Sequence, residues 1–209
     1  LTELYGRVRR TAKELDGESV LFGILPTLAK SDLDLKNMVP KQRYMTLNRA
    51  MNEARGEAYD FSIQGLDELI VKHETVMVES CNASFQVHLQ VAEPERFHHY
   101  YNVAQLVMAP VLAVGTNSPV LFGRRLWAET RIALFEQACD IRTPGSYPRD
   151  RAARVSFGNE WAQGSVVDLF KENITRFRAL VGTEREDDPN ERLDRGEIPE
   201  LNALRLHNG

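Results

Sequence analysis

Apolar residues recur along this chain at spacings that separate helices from strands. Leu4, Val8 and Leu15 fall on one face of a helix that begins at the first residue. Val20 to Leu25 is a short apolar run that reads as a buried strand. From Pro26 to Gln42 the pattern becomes loop-like, with Pro26, Ser31, Asp32, Asp34, Asn37 and Pro40. Connections of that length in compact domains are usually functional or disordered. Helical spacing returns from Arg43 to Ala54 through Met45, Leu47 and Met51, with Gly56 beyond the end. Ile63 to Val71 fits neither period cleanly.

The most informative stretch lies between Val76 and Val91. Ala83, Phe85, Val87, Leu89 and Val91 alternate with Ser84, Gln86, His88 and Gln90. Strict alternation is the pattern of a strand with one face in a core. Its polar face carries hydroxyl, amide and imidazole groups, which suit the floor of a polar cleft. From this pattern alone, His88 reads as a hydrogen-bonded strand histidine.

Pro94 opens a helix that runs to about Val114, since proline's missing N–H has no partner in a first turn anyway. Pro110 is a candidate kink. Gly115, Asn117 and Pro119 form a loop, and a further helix includes Trp127 to Gln137. Ser165 and Asp168 match a capping box. They precede an apolar stripe at Val166, Phe170, Ile174, Phe177 and Val181. Thr183 to Glu197 is highly charged and reads as an exposed loop. Leu204 to His207 starts like a strand, and Asn208-Gly209 offers a hairpin turn. The first helix needs something to pack against and the last strand lacks its partner, so both ends read as cut.

Composition narrows the function classes. A net charge of −4 gives no basic field for nucleic acid or an anionic membrane. No run of about 18 apolar residues exists to span a bilayer, and the first residues lack a signal-peptide layout. Cys81 and Cys139 make no disulfide framework or zinc signature, and a reducing, cytoplasmic setting fits them. Cys81 falls on the apolar parity and reads as core. His73, His98, His99, Trp127 and Trp161 read as surface and packing residues. No phosphate-binding Gly-x-x-x-x-Gly-Lys-Ser/Thr loop, dinucleotide fingerprint or Gly-x-Ser-x-Gly elbow is present.

Five short segments, in one order, carry a family resemblance. Ser84-Phe85-Gln86-Val87-His88-Leu89 is similar to the T/S-x-Q-V-H/N-L strand of glutamate–cysteine ligases and their carboxylate–amine ligase relatives. Ala113-Val114-Gly115-Thr116-Asn117-Ser118-Pro119 resembles their A-L-x-A-N-S-P loop. Gly123, Arg131 and Phe135 follow at the family's Gly, Ser-x-Arg and aromatic positions. Asp140-Ile141-Arg142-Thr143-Pro144-Gly145 resembles D-x-x-R-x-G, and Val39-Pro40-Lys41-Gln42-Arg43-Tyr44 resembles M-P-K-G-R-Y. The resemblance covers Leu21 to about Gly145. Glu129 stands where the family has serine, and Gln42 where it has glycine.

The resemblance implies an α+β fold: part of a glutamine synthetase-like domain, a curved antiparallel sheet with flanking helices. Residues 1–209 would be its central portion, lacking the N-terminal and C-terminal strands, and inactive alone. It implies an ATP- and Mg²⁺-dependent ligase that joins glutamate to cysteine, or to another amine, through an acyl phosphate. The charge of triphosphate and carboxylate then calls for Mg²⁺ and arginines. His88 matches a metal-binding position. Arg131 and Arg142 become candidates for gripping phosphate or carboxylate, since a guanidinium fork suits either anion. Arg43, Gln86 and Ser84 become candidate ATP or substrate contacts. Asn117 either touches ligand or shapes the turn before Pro119. The alternative is a ligase-derived domain that binds nucleotide or amino acid and regulates a partner without catalysis. Association into a homo-oligomer is left open.

Overall fold

The structure is a computed structural model that describes residues 1–142, 154–156, 158–177 and 188–199. Its core gathers around an antiparallel hairpin. Strand β1 (Tyr59–Gln64) pairs with β2 (Glu68–His73), Tyr59 lying opposite His73 and Gln64 opposite Glu68. Alternation then puts Tyr59, Phe61 and Ile63 inward and Asp60, Ser62 and Gln64 outward. The turn closes through the Gly65 N–H, which donates to the Asp67 carbonyl at 2.9 Å. The stretch that fitted neither period is therefore most of a hairpin.

A second, smaller hairpin joins β3 (Val120–Leu121) to β4 (Arg124–Arg125). Phe122 and Gly123 form its turn with φ of 49° and 73°, the geometry that two-residue hairpin loops favour. The two hairpins meet at a corner. There the Asp67 N–H donates to the Arg125 carbonyl at 2.8 Å, and the Asp67 carboxylate accepts from the Arg125 backbone and guanidinium at 2.8 and 3.1 Å. Trp127 closes the corner by donating its indole N–H to the Gln64 carbonyl at 2.8 Å.

Two helices frame this core. Helix α2 (Gln42–Arg55) buries Met51 and ends at Gly56. Helix α4 (Thr130–Ala138) buries Ala133, Leu134 and Ala138. From α4, Gln137 reaches the free edge of β1. Its amide accepts from the Ser62 N–H at 2.9 Å and donates to the Ser62 carbonyl at 3.0 Å, pairing backbone groups that an edge strand otherwise leaves to water. The 3₁₀ segment Val76–Cys81 adds Met77 and Val78, and Ile24 and Leu33 enter from the loop-like region upstream.

Helix α1 (Thr2–Glu14), helix α3 (Phe97–Gly115, containing Pro110) and helix α5 (Val166–Arg176) bury no residue fully. Asn102 ties α3 to the chain before α5 through paired hydrogen bonds with Ala162, both 2.9 Å. The capping box at the start of α5 is as read: Ser165 Oγ accepts from Val167 N–H at 3.2 Å, and Asp168 accepts from Ser165 N–H at 3.1 Å. Val181 and the segment from Leu204 onward lie outside the described residues.

Four expectations need correction. Residues 82–92 form no ladder and are not a strand. Phe85, Val87 and Leu89 are 86, 68 and 76 % exposed, so the apolar parity meets no core. Alternation makes a strand only where a neighbour supplies hydrogen bonds; the Ala83 N–H donates to the Gly23 carbonyl at 2.8 Å, and from Ser84 to Val91 no backbone hydrogen bond to another segment follows among the described residues. Val20 to Leu25 is likewise no strand; Val20 and Leu21 face water and only Ile24 reaches the core. The charged stretch expected as loop contains helix α6 (Pro189–Asp194), because Asp188 caps it, accepting from the Asn190 N–H at 2.8 Å, and Pro189 suits its first turn. The fold class is α+β, yet the described strands form two separate two-stranded sheets and not one curved sheet.

Candidate functional site

The sequence candidates divide between a buried ionic latch, an exposed ribbon and a second arginine cluster. The latch begins at loop 116–118, which runs against the start of α4 through a parallel bridge between Ser118 and Glu129. Ser118 and Thr130 are fully buried and Glu129 nearly so. The Glu129 carboxylate grips Arg131 with both oxygens, Nε–Oε1 at 2.7 Å and Nη2–Oε2 at 2.6 Å. The Ser118 hydroxyl also donates to that carboxylate. Burial works against the ionised carboxylate, but the hydrogen bonds from Arg131 and Ser118 outweigh it and hold the pKa below its ordinary value.

Arg131 spends its remaining donors on two neighbouring segments. Nη2 donates to Asn117 Oδ1 at 2.9 Å, and Nη1 donates to the Ala83 carbonyl. Backbone bonds complete the junction: Gly23 N–H to the Asn117 carbonyl at 3.2 Å, and Ala83 N–H to the Gly23 carbonyl at 2.8 Å. Glycine at residue 23 leaves room for this approach, since a Cβ there would lie 2.9 Å from Arg131 Cζ and closer still to Asn117 Oδ1, and both side chains would have to shift. Three remote stretches thus converge on one ion pair, and Ala83 is the first residue of the ribbon. Asn117 takes part in this junction through both its side-chain and its backbone oxygen. Glu129 is the residue that sequence reasoning missed as a partner. Its signal was present, a carboxylate two positions before Arg131 where the family has serine.

Beyond Ala83 the ribbon leaves the junction. Ser84, Gln86 and His88 are exposed and make no hydrogen bond or ion pair among the described residues. They alternate in sequence with apolar residues along a segment whose first residue is fixed and whose polar groups face water.

Arg142 belongs to a different cluster. It pairs with Asp140 through Nη2–Oδ2 at 2.6 Å and Nε–Oδ1 at 2.8 Å. Arg55 closes the cluster, donating to the Asp140 and Arg142 carbonyls at 2.5 and 3.1 Å while its guanidinium lies 4.7 Å from the Tyr59 ring centroid. Burial opposes the Asp140 carboxylate, and Arg142 more than compensates, holding its pKa low. No hydrogen bond or ion pair among the described residues joins this cluster to the latch. Arg43, in the first turn of α2, lies over the Tyr44 ring at 4.8 Å.

The family model for glutamate-cysteine ligase family 2 (GCS2) matches residues 1–159, more than half of the chain. The chain belongs to that family. No curated protein and no solved structure matches it. The matched interval includes the latch, the ribbon and the Arg142 cluster, and leaves α5 and α6 outside.

Glutamate–cysteine ligase membership raises the question of which residues here could hold a metal. Among the described residues no group of three His, Cys, Asp or Glu side chains is placed to bind one. His88 offers a lone imidazole beside amide and hydroxyl oxygens, whereas Mg²⁺ prefers several oxygen ligands, carboxylates among them. The described donor set does not by itself fit that ion. Burial pushes the Cys81 thiol up to about 12 and the Cys139 thiol up to about 11, which disfavours the thiolate that a nucleophile requires. His73 is a packing residue, its Nδ1 accepting from the Thr75 N–H at 3.1 Å.

Proposed function

We propose that this chain is the central part of an ATP- and Mg²⁺-dependent ligase that joins the γ-carboxylate of glutamate to the amine of cysteine, or of another amine. The observation that carries the reading is the family match across residues 1–159. The five motif segments in family order support it, and so does the exposed polar parity of Ser84, Gln86 and His88. In this reading ATP phosphorylates the γ-carboxylate, and the amine displaces phosphate from the acyl phosphate. The two hairpins would belong to a glutamine synthetase-like sheet. The ribbon would present Ser84, Gln86 and His88 to nucleotide or substrate. Arg131, held by Glu129, would act as a positioning residue for the ribbon, while Arg142 and Arg43 would bear on the anions. Among the described residues no group of carboxylates is placed to hold magnesium.

That same lack favours a second reading, a family-derived domain that binds nucleotide or amino acid without turning over. One assay separates the two. The intact protein given ATP, Mg²⁺, glutamate and cysteine is expected to release ADP only when both amino acids are present. His88→Ala is expected to weaken nucleotide binding about 10-fold, the usual size of one lost hydrogen bond to a charged group. It should leave unfolding unchanged, because His88 is exposed. Nucleotide binding without ADP release would support the binding domain, and unaltered nucleotide affinity would return His88 to a solvated side chain.

A further inference from the structure

A cavity of about 680 Å³ opens between α2, the 3₁₀ segment Val76–Cys81 and α4. Its size falls in the range of small-molecule sites, roughly 300–1,000 Å³. The walls are apolar and soft: Met38, Leu47, Met51 and Met77, with the rings of Tyr44 and Phe135. Thioethers adapt to the outline of a guest, and aromatic faces attract cations. Glu79 stands in this wall, and among the described residues no hydrogen bond or ion pair reaches its carboxylate. Burial pushes its pKa up, as expected for a carboxylate withdrawn from water without a counter-charge. Arg154 also lines the cavity, but its guanidinium is held over the Phe177 ring, 5.2 Å from the centroid.

A partly buried carboxylate in a cavity that aromatic rings and thioethers also line suits a cationic guest with an apolar body. We propose that this cavity binds an organic ammonium ion with a compact apolar body, the ammonium at Glu79 and the body among Met38, Met51, Met77 and Phe135. An uncharged guest would leave the carboxylate uncompensated, and an anion would be repelled by it. The site shares no residue with the latch or the ribbon, and occupancy requires neither ATP nor turnover. Its test is therefore separate from that of the ligase reading.

Calorimetric titration of the intact protein with n-pentylammonium chloride and with 1-pentanol compares two guests of equal body and different head. The ammonium is expected to bind at least tenfold more tightly. Glu79→Gln should abolish that preference while leaving pentanol affinity and thermal unfolding as they were. Glu79→Asp, which keeps the charge, should retain it and guards against a folding defect in the amide variant. L-Norleucine, which adds a carboxylate to the same ammonium and a similar body, shows whether the guest is an amino acid or a simple amine. Equal binding of amine and alcohol, no binding of either, or a preference that survives Glu79→Gln would overturn the proposal.

Discussion

Glu129→Ala is expected to lower the unfolding free energy by about 3 kcal/mol near pH 7, the usual loss when one partner of a buried ion pair is removed. The size follows from what remains. Arg131 would stay positioned by Ala83 and Asn117 with its charge uncompensated, and the Ser118 hydroxyl would lose its acceptor. Glu129 is 6 % exposed, so its carboxylate and the charge it neutralises are largely withdrawn from bulk water. Removing both charges is less damaging than removing one. The Glu129→Ala/Arg131→Met double variant should recover part of the loss, and denaturant unfolding of the two singles and the double measures that coupling. The pH dependence has a fixed sign. The folded carboxyl has a depressed pKa, so its contribution is complete above the unfolded value, about 4.3. It disappears as pH falls through the folded value. The gap between wild type and Glu129→Ala should therefore narrow on acidification below about pH 4. Equal stability at pH 7 would show that the latch does not hold the junction.

Gly65→Ala should be comparably costly, about 3 kcal/mol, at the upper end of what overpacking usually exacts. An added Cβ would lie 2.6 Å from the Leu126 carbonyl carbon and nearer still to its Cα. The obstacle is backbone, and backbone here cannot step aside cheaply. Leu126 N–H donates to the Pro119 carbonyl at 2.8 Å, and the Asp67–Arg125 and Trp127–Gln64 bonds fix the chain on either side. Relief would require the two hairpins to separate at their corner. Gly115→Ala is the control: a methyl there meets nothing within 4 Å, and the change should stay within about 0.5 kcal/mol. A Gly65→Ala variant that unfolds at the wild-type denaturant midpoint would contradict the described corner.

What was legible in the sequence was what local chemistry decides. Gly56 marked the end of α2, Pro94 the approach to α3, and Ser165 with Asp168 the start of α5. Each is a backbone preference readable within a few residues. The hairpin of β1 and β2 was nearly readable, since Tyr59, Phe61 and Ile63 alternate. It was obscured because Leu69, Ile70 and Val71 run together, with Ile70 outward and 71 % exposed, and because its turn lacks an Asn-Gly or Asp-Gly pair. The ribbon shows the opposite failure. Its alternation is clear, but pairing is a relation between two segments and no period within one segment contains it. The latch was half visible. Glu129 stood out as a departure, while its effect on Arg131 depends on Ser118, Asn117, Ala83 and Gly23 arriving from remote parts of the chain.

Isotope transfer probes the proposed chemistry at the atom that matters. Intact protein would be supplied with ATP, Mg²⁺, cysteine and glutamate carrying ¹⁸O in its γ-carboxylate, and the released inorganic phosphate analysed by mass. If the γ-carboxylate attacks the terminal phosphorus and the amine then displaces phosphate, one labelled oxygen leaves glutamate and appears in each phosphate. Phosphate free of label beside a genuine γ-glutamyl product would contradict an acyl phosphate, and the absence of product and ADP would contradict ligase activity itself.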